Sequence, residues 1–168
     1  MSVIEQSQPE RLEAVRELPI MGMLAASLRE LVIGSFEVRS YGFGEYLVIE
    51  GEEADAFYVL LEGMTRVVTT GSDGSERTLS VMRAGESFGE RAFLESTPRT
   101  ASVRASCPVT AARLDRSVFG SLLHLHPQVA EVFAQQGRAR RLQGFLRQHP
   151  AFATLDPDAV WLLLRKAR

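Results

Sequence analysis

The sequence lacks the features of secreted and membrane-spanning proteins. Only one of its 168 residues is a cysteine, Cys107, so an internal disulfide is excluded and a reducing compartment is favoured. No apolar run approaches the ~20 residues needed to cross a bilayer. The first residues do not combine a basic stretch with an apolar core, so no secretion signal is predicted. We therefore expect a cytoplasmic domain, either free or as the soluble part of a membrane protein.

Residue patterns that carry catalytic or metal chemistry are also scarce. His124 and His126 lie close together in the sequence, but no third ligand follows at a suitable spacing, so no metal site is predicted. No Ser–His–Asp or paired-carboxylate arrangement is evident. We therefore expect a chain that is not an enzyme and that needs no cofactor.

Charge is unevenly distributed, although the formal net charge is only −2. Residues 1–98 hold 8 basic and 17 acidic side chains, whereas residues 99–168 hold 11 basic and 4 acidic ones. A basic surface for nucleic acid or lipid is one interpretation. Because the basic residues are scattered, we favour the other, in which the two halves complement each other within one fold. No nucleic acid partner is predicted for this chain.

Apolar spacing predicts helices at both ends and strands between them. Helices are expected at 9–17, at 24–33 with Leu31 on the apolar side, and after an Asp115 N-cap at 116–123 and 128–147, where Gly137 interrupts the pattern. Short alternating runs predict strands at 36–41, 46–49, 56–61, 65–70, 77–82, 102–105 and 110–114. The fold class is α+β, a mainly antiparallel β-roll or jelly roll with flanking helices, whose interior suits one compact ligand.

Residues 86–103 hold a combination suited to a small anion, Glu-Ser-Phe-Gly-Glu-Arg-Ala-Phe-Leu-Glu-Ser-Thr-Pro-Arg-Thr-Ala-Ser-Val. Gly89 permits positive φ and close backbone approach, and free N–H groups at the start of a short helix face an anion. Arg99 offers a planar cationic fork for a phosphate. Glu90 is an acceptor for sugar hydroxyls. A phosphate and a ribose together indicate a nucleotide.

This segment resembles the phosphate-binding cassette of the cyclic nucleotide-binding domain family. The resemblance extends to Gly44-Glu45, Ile49–Glu52, Asp55–Leu60 and Glu62-Gly63, which follow the family's order and approximate spacing, and it covers about residues 18–145. It implies a β-roll sensor fold with a short cassette helix and C-terminal helices of the family's B and C type. The ligand it implies is cAMP or cGMP.

The resemblance also implies roles for individual residues. Arg99 would pair with the exocyclic phosphate, Glu90 would accept from the ribose 2′-hydroxyl, and Arg91 departs from the usual apolar residue. Thr100 occupies a position associated with guanine recognition but does not decide between the two nucleotides. The implied ligand-binding set is Phe88, Gly89, Glu90, Arg91, Ala92, Arg99, Thr100 and Ala101, with Leu142, Phe145 and Leu146 as a base lid.

Three segments and three functional hypotheses follow. Residues 1–17 form an extension helix, 18–147 the nucleotide-binding domain, and 148–168 the start of a following domain or linker helix. The leading hypothesis is a regulatory domain that signals through its C-terminal helix to an effector domain of a longer protein, with a homodimer through the C-terminal helices as an option. The alternatives are the sensor half of a catabolite-activator-like transcription regulator, or a protein-interaction module that has lost its nucleotide.

Overall fold

A computed structural model describes residues 12–148 of the chain, and it describes side chains for residues 12–139. Three short helical segments precede the strands. Helix α1 spans Glu13–Arg16, a 3-10 helix with proline at its start spans Pro19–Met23, and helix α2 spans Ala26–Gly34. Proline fits the first turn of a helix because the N–H it lacks would have no intrahelical acceptor there.

Eight antiparallel strands form two four-stranded sheets, which confirms the predicted β-roll. The sheet orders are β1-β8-β3-β6 and β2-β7-β4-β5. The short helix α3 lies between β6 and β7. The elements are β1 Phe36–Tyr41, β2 Tyr46–Val48, β3 Ala56–Glu62, β4 Met64–Thr70, β5 Glu76–Arg83, β6 Ser87–Phe88, α3 Glu90–Leu94, β7 Ser102–Ala105 and β8 Val109–Asp115. Of these strands only β6 was not predicted, because two residues are too few to show an alternating pattern.

Strand β3 is buried on both faces and separates two cores. Tyr58 and Leu60 face the core between the two sheets. Phe57 and Val59 face the opposite side, where the helices cover the first sheet. Successive side chains of a strand point to opposite faces, so an unbroken apolar run such as Ala56–Leu61 is typical of a strand covered on both sides.

Two helices follow the last strand and pack against the first sheet, on the side of Phe57 and Val59. Helix α4 spans Arg116–Leu125, and the Asp115 carboxylate caps it by accepting from the Ser117 N–H at 2.9 Å, as predicted. Helix α5 spans Pro127–Gln148 and runs through Gly137 without the predicted interruption. One apolar prediction is wrong: Leu31 is 68% exposed, and Val32 and Ile33 are the buried residues of α2.

Some predictions fall on residues that the structure does not describe. The predicted 9–17 helix is described only from residue 12 onward, and residues 149–168 are outside the described part of the chain. Between residues 12 and 148, no helix is both long and apolar enough to cross a membrane. Within the described residues, no group of three or more His, Cys, Asp or Glu side chains is placed to hold a metal ion.

Candidate functional site

Gly89 joins β6 to α3 in a conformation that favours glycine. Its φ is +96°, in the left-handed region, and it occupies the N-cap position of α3. A Cβ at this position would lie 2.7 Å from Arg99 Nη1 and 3.1 Å from the Ala56 carbonyl oxygen. The glycine therefore leaves room for the Arg99 side chain to reach the start of β3.

Arg99 is buried, and protein acceptors already orient its guanidinium. The residue is 5% exposed, although it lies in the loop between α3 and β7. Nη2 donates to the Ala56 carbonyl at 2.6 Å and to Asp55 Oδ1 at 3.0 Å, and Nη1 donates to the Gly89 carbonyl at 3.3 Å. A guanidinium has five N–H donors, so these three bonds to described residues leave two of them for an anion.

The backbone of Arg99 is tied to the loop that precedes β3. Its N–H donates to the Glu52 carbonyl at 2.8 Å, and its carbonyl accepts from the Gly51 N–H at 2.8 Å. The same loop is also hydrogen-bonded to the start of β7, where the Glu50 N–H donates to Ser102 Oγ at 2.8 Å. The loop before β3 therefore holds the main chain of Arg99, and Asp55 and Ala56 at its end also accept from the Arg99 side chain.

Asp55 lies between two arginines. Its Oδ1 accepts from Arg99, and its Oδ2 accepts from Arg113 Nη2 at 3.0 Å. Burial alone would raise the pKa of Asp55, but the hydrogen bonds from Arg113 and Arg99 outweigh it and hold that pKa below its usual value. Burial likewise lowers the pKa of Arg113, and Asp55 and Tyr58 more than reverse this effect. Asp55 and Arg113 are therefore both charged at neutral pH.

Glu90 and Ala92 lie on the inner side of the cassette helix, whereas Arg91 lies on its outer side. Glu90 is 6% and Ala92 7% exposed. Arg91 Nε donates to Glu95 Oε2 at 2.8 Å, one helical turn away, and both side chains are about two-fifths exposed. The sequence left open whether the Arg91 side chain turns inward. It follows the helix surface, so it adds no second cation beside Arg99.

The remaining predicted ligand-binding residues differ in burial and in how they could contact a ligand. Phe88 is buried between the sheets and its ring stacks on Tyr58 with centroids 5.0 Å apart, which leaves its backbone for any ligand contact. Thr100 is exposed and Ala101 half-buried in the turn before β7. The lid candidates Leu142, Phe145 and Leu146 belong to helix α5, but their side chains lie outside the described residues.

Two residues of this site were not among the sequence predictions. Asp55 stood in the quoted motif without a role, and Arg113 was not considered. The position of Arg113 in its strand could have identified it. Val109, Ala111 and Arg113 occupy alternate positions of β8, on the face toward the interior, and a charged residue on that face requires a partner. The sequence did not identify that partner, because Asp55 is 58 residues away.

Comparison with known proteins assigns the family. The family model described as cyclic nucleotide-binding domain matches residues 38–126, which include the strands from within β1 onward, the cassette and helix α4. The chain belongs to the cyclic nucleotide-binding domain family. This match covers more than half of the chain and includes both Arg99 and Asp55.

Individual relatives come from different kinds of regulatory protein. The chain is 34% identical over 109 residues to a cAMP-dependent protein kinase regulatory subunit of Emericella nidulans, covering 65% of this chain and 26% of that protein. It is 30% identical over 128 residues to the cAMP-activated global transcriptional regulator CRP of Pasteurella multocida, covering 76% and 61%. The chain thus spans about a quarter of the fungal protein's length.

A solved structure supports the fold assignment. The regulatory domain of Toxoplasma gondii PKA, crystallised with cAMP, superposes with a TM-score of 0.68. The superposition covers 78% of this chain and 49% of that chain, at 24% identity. At this identity the likeness establishes the fold alone.

Replacing Asp55 with Asn should lower the melting temperature at pH 7 by about 2–4 °C, or ~1 kcal/mol, because Arg99 and Arg113 lose their charged acceptor. The effect is modest because the Asp55 side chain is 57% exposed and screened by solvent. The measurement is thermal unfolding of the wild-type chain and the variant across pH.

The pH dependence of that difference has a defined sign. The pKa of Asp55 is lowered in the folded state, so its stabilisation is present above the ordinary value of about 4 and is lost as pH falls through the lowered pKa. The gap between Asp55→Asn and wild type should therefore narrow below about pH 4. An equal gap at pH 7 and pH 3 would contradict the ion-pair account.

Proposed function

We propose that this chain is a regulatory domain that binds a cyclic nucleoside monophosphate, cAMP or cGMP, with the exocyclic phosphate on Arg99. The observation that carries the proposal is the burial of Arg99 with an oriented guanidinium, of which two N–H donors are not used in bonds to the part of the chain that the structure describes. Water is largely excluded there, and a charged hydrogen bond is stronger where water is excluded. The site suits one compact anion.

The cassette supplies the complement for the sugar. Glu90 is buried at the first position of α3, next to the glycine whose carbonyl accepts from Arg99. A carboxylate there would accept from a ribose 2′-hydroxyl. Backbone N–H groups of Gly89, Arg91, Ala92 and Ala101 would complete the contacts, and the exposed Thr100 would face the base.

Transmission to an effector requires a contact between cassette and helices, and an aromatic cluster provides one. Phe93 of α3 lies edge-on to Phe119 of α4 with centroids 5.1 Å apart, and Phe119 lies edge-on to Phe133 of α5 at 5.5 Å. Phe57 of β3 stacks on Phe119 at 4.5 Å. A ligand that favours one position of α3 would therefore bias α5 through packed rings, and α5 would lead to an effector outside this chain.

A transcription regulator is the second candidate for the parent protein. The observation in its favour is the likeness to the Pasteurella multocida regulator, which covers a larger share of the relative than the likeness to the kinase subunit does. Both candidates use the same ligand site. Sequencing the whole gene distinguishes them, because a regulator of that kind requires a DNA-binding module after α5.

Replacing Arg99 with Ala should weaken cyclic nucleotide binding by about 10- to 100-fold, because a buried charged hydrogen bond contributes ~1.5–3 kcal/mol. The measurement is calorimetric titration of the full chain with cAMP and with cGMP. Arg39→Ala is the matched control, since Arg39 is half-exposed on β1 and pairs with Glu37. Wild-type affinity in Arg99→Ala, or no binding of either nucleotide by the wild-type chain, would overturn the proposal.

The same titrations test Glu90 with 2′-deoxy-cAMP. Wild type should prefer cAMP over the deoxy analogue, and Glu90→Ala should lose most of that preference, because each change removes one partner of the same hydrogen bond. A preference of equal size in Glu90→Ala would assign Glu90 a structural role.

Replacing Phe93 with Ala should uncouple α5 from the ligand while leaving the phosphate contact in place. In the wild-type chain, cAMP should change hydrogen exchange in α5, and in Phe93→Ala that change should shrink while binding at saturating ligand persists. Leu79→Ala is the control, because Leu79 is an exposed residue of β5 away from the cluster. An unchanged response of α5 in Phe93→Ala would exclude this route.

A further inference from the structure

Arg113 is a charged residue on the inner face of a buried strand. It pairs with Tyr58 across β8 and β3, so both side chains extend from the same face of the sheet. Tyr58 belongs to the core between the sheets, as do Val109 and Ala111, which precede Arg113 at alternate positions. The Arg113 side chain is only 11% exposed. A guanidinium there is stable only with a counter-charge.

The carboxylates of Asp55 and Asp115 are near enough to Arg113 to supply that charge, but Asp115 also caps helix α4. Arg113 Nη2 lies 3.0 Å from Asp55 Oδ2, whereas Nη1 lies 3.7 Å from Asp115 Oδ2. The other oxygen of Asp115 caps α4 by accepting from the Ser117 N–H and hydroxyl. Arg113 Nε is buried and has no hydrogen-bond acceptor among the described residues. Asp55 is therefore the main partner of Arg113.

Asp55 is shared in a way that bears on Arg99. Each arginine donates to a different oxygen of the Asp55 carboxylate, and the two arginine side chains are 4% and 11% exposed. If Arg99 were its sole partner, Asp55 would neutralise Arg99 and would place a negative charge beside any anion bound there. Arg113 offsets that charge from the opposite side. Arg99 thus keeps a hydrogen-bonded orientation and also the net attraction for an anion.

We propose that Arg113 is a positioning residue for the phosphate site, which acts by offsetting the charge of Asp55 so that Arg99 stays available to the ligand. The proposal rests on the proposed function, because it concerns the affinity of that same site for a cyclic nucleotide. Arg113 need not touch the ligand. Its effect passes through Asp55, and removal of the Asp55 charge should therefore cancel it.

The test is calorimetric titration with cAMP of the full wild-type chain and of five variants: Arg113→Gln, Arg113→Lys, Asp55→Asn, the Asp55→Asn/Arg113→Gln double variant and Arg39→Gln. Arg113→Gln should weaken binding by about tenfold, and Arg113→Lys should recover most of the loss because it restores the charge. In an Asp55→Asn background the same Arg113→Gln change should alter affinity by less than about twofold, since no carboxylate charge remains to be offset. Arg39→Gln on the neighbouring strand is the control and should bind as wild type does.

The outcomes separate this proposal from the function on which it rests. If wild type binds cAMP, Arg99→Ala does not, and Arg113→Gln binds as wild type, then only the role of Arg113 is overturned. A loss in Arg113→Gln that persists in the Asp55→Asn background also overturns it, because the effect would then come from packing. If wild type binds neither cyclic nucleotide, both proposals fall. Thermal unfolding of each variant identifies a folding defect, and Arg113→Met, which removes the charge but keeps a long unbranched side chain, replaces Arg113→Gln if that variant is unstable.

Discussion

The buried guanidinium of Arg99 requires hydrogen-bond acceptors, and this requirement fixes the surrounding residues. Its three acceptors are the carbonyls of Ala56 and Gly89 and the carboxylate of Asp55. They come from the start of β3 and from the N-cap of α3, two segments more than thirty residues apart in the sequence. The left-handed glycine and the backbone pairing of Arg99 with Gly51 and Glu52 follow from bringing these segments together. An arginine without such acceptors would not remain buried.

Strand β3 connects the residues around Arg99 to the helices because both of its faces are covered. Ala56 supplies a carbonyl to Arg99, and the next residue, Phe57, stacks on Phe119 of α4 and lies edge-on to Phe133 of α5. Arg116 at the start of α4 donates its backbone N–H to the Asp55 carbonyl and its side chain to the Ala54 carbonyl. A small displacement of Asp55 or Ala56 would therefore be transmitted to helices α4 and α5 through these packed rings and hydrogen bonds.

Local sequence patterns were sufficient to predict much of this fold and to single out candidate site residues. Most strands alternate, β3 is a continuous apolar run, and Asp115 caps the helix that it precedes. The Gly89, Glu90 and Arg99 spacing indicates an anion site because each residue type has a specific chemical use there. Leu31 was placed wrongly because α2 is short, and several helical faces fit so few apolar residues. The sequence could not predict that Arg99 and Arg113 share Asp55. Asp55 precedes Arg99 by 44 positions and Arg113 by 58, and only the sheet register brings the three residues together.

The central claim is that Arg99 is oriented before any ligand arrives, and guanidinium NMR of the ligand-free chain tests it directly. The Arg99 resonances would be assigned by comparing ¹H–¹⁵N spectra of wild type and Arg99→Lys. If Asp55, Ala56 and Gly89 hold the group, its Nη protons should give separate resonances from restricted rotation and should exchange slowly with solvent. A single averaged Nη resonance, like that of an exposed arginine, would show a freely rotating group and would contradict the account.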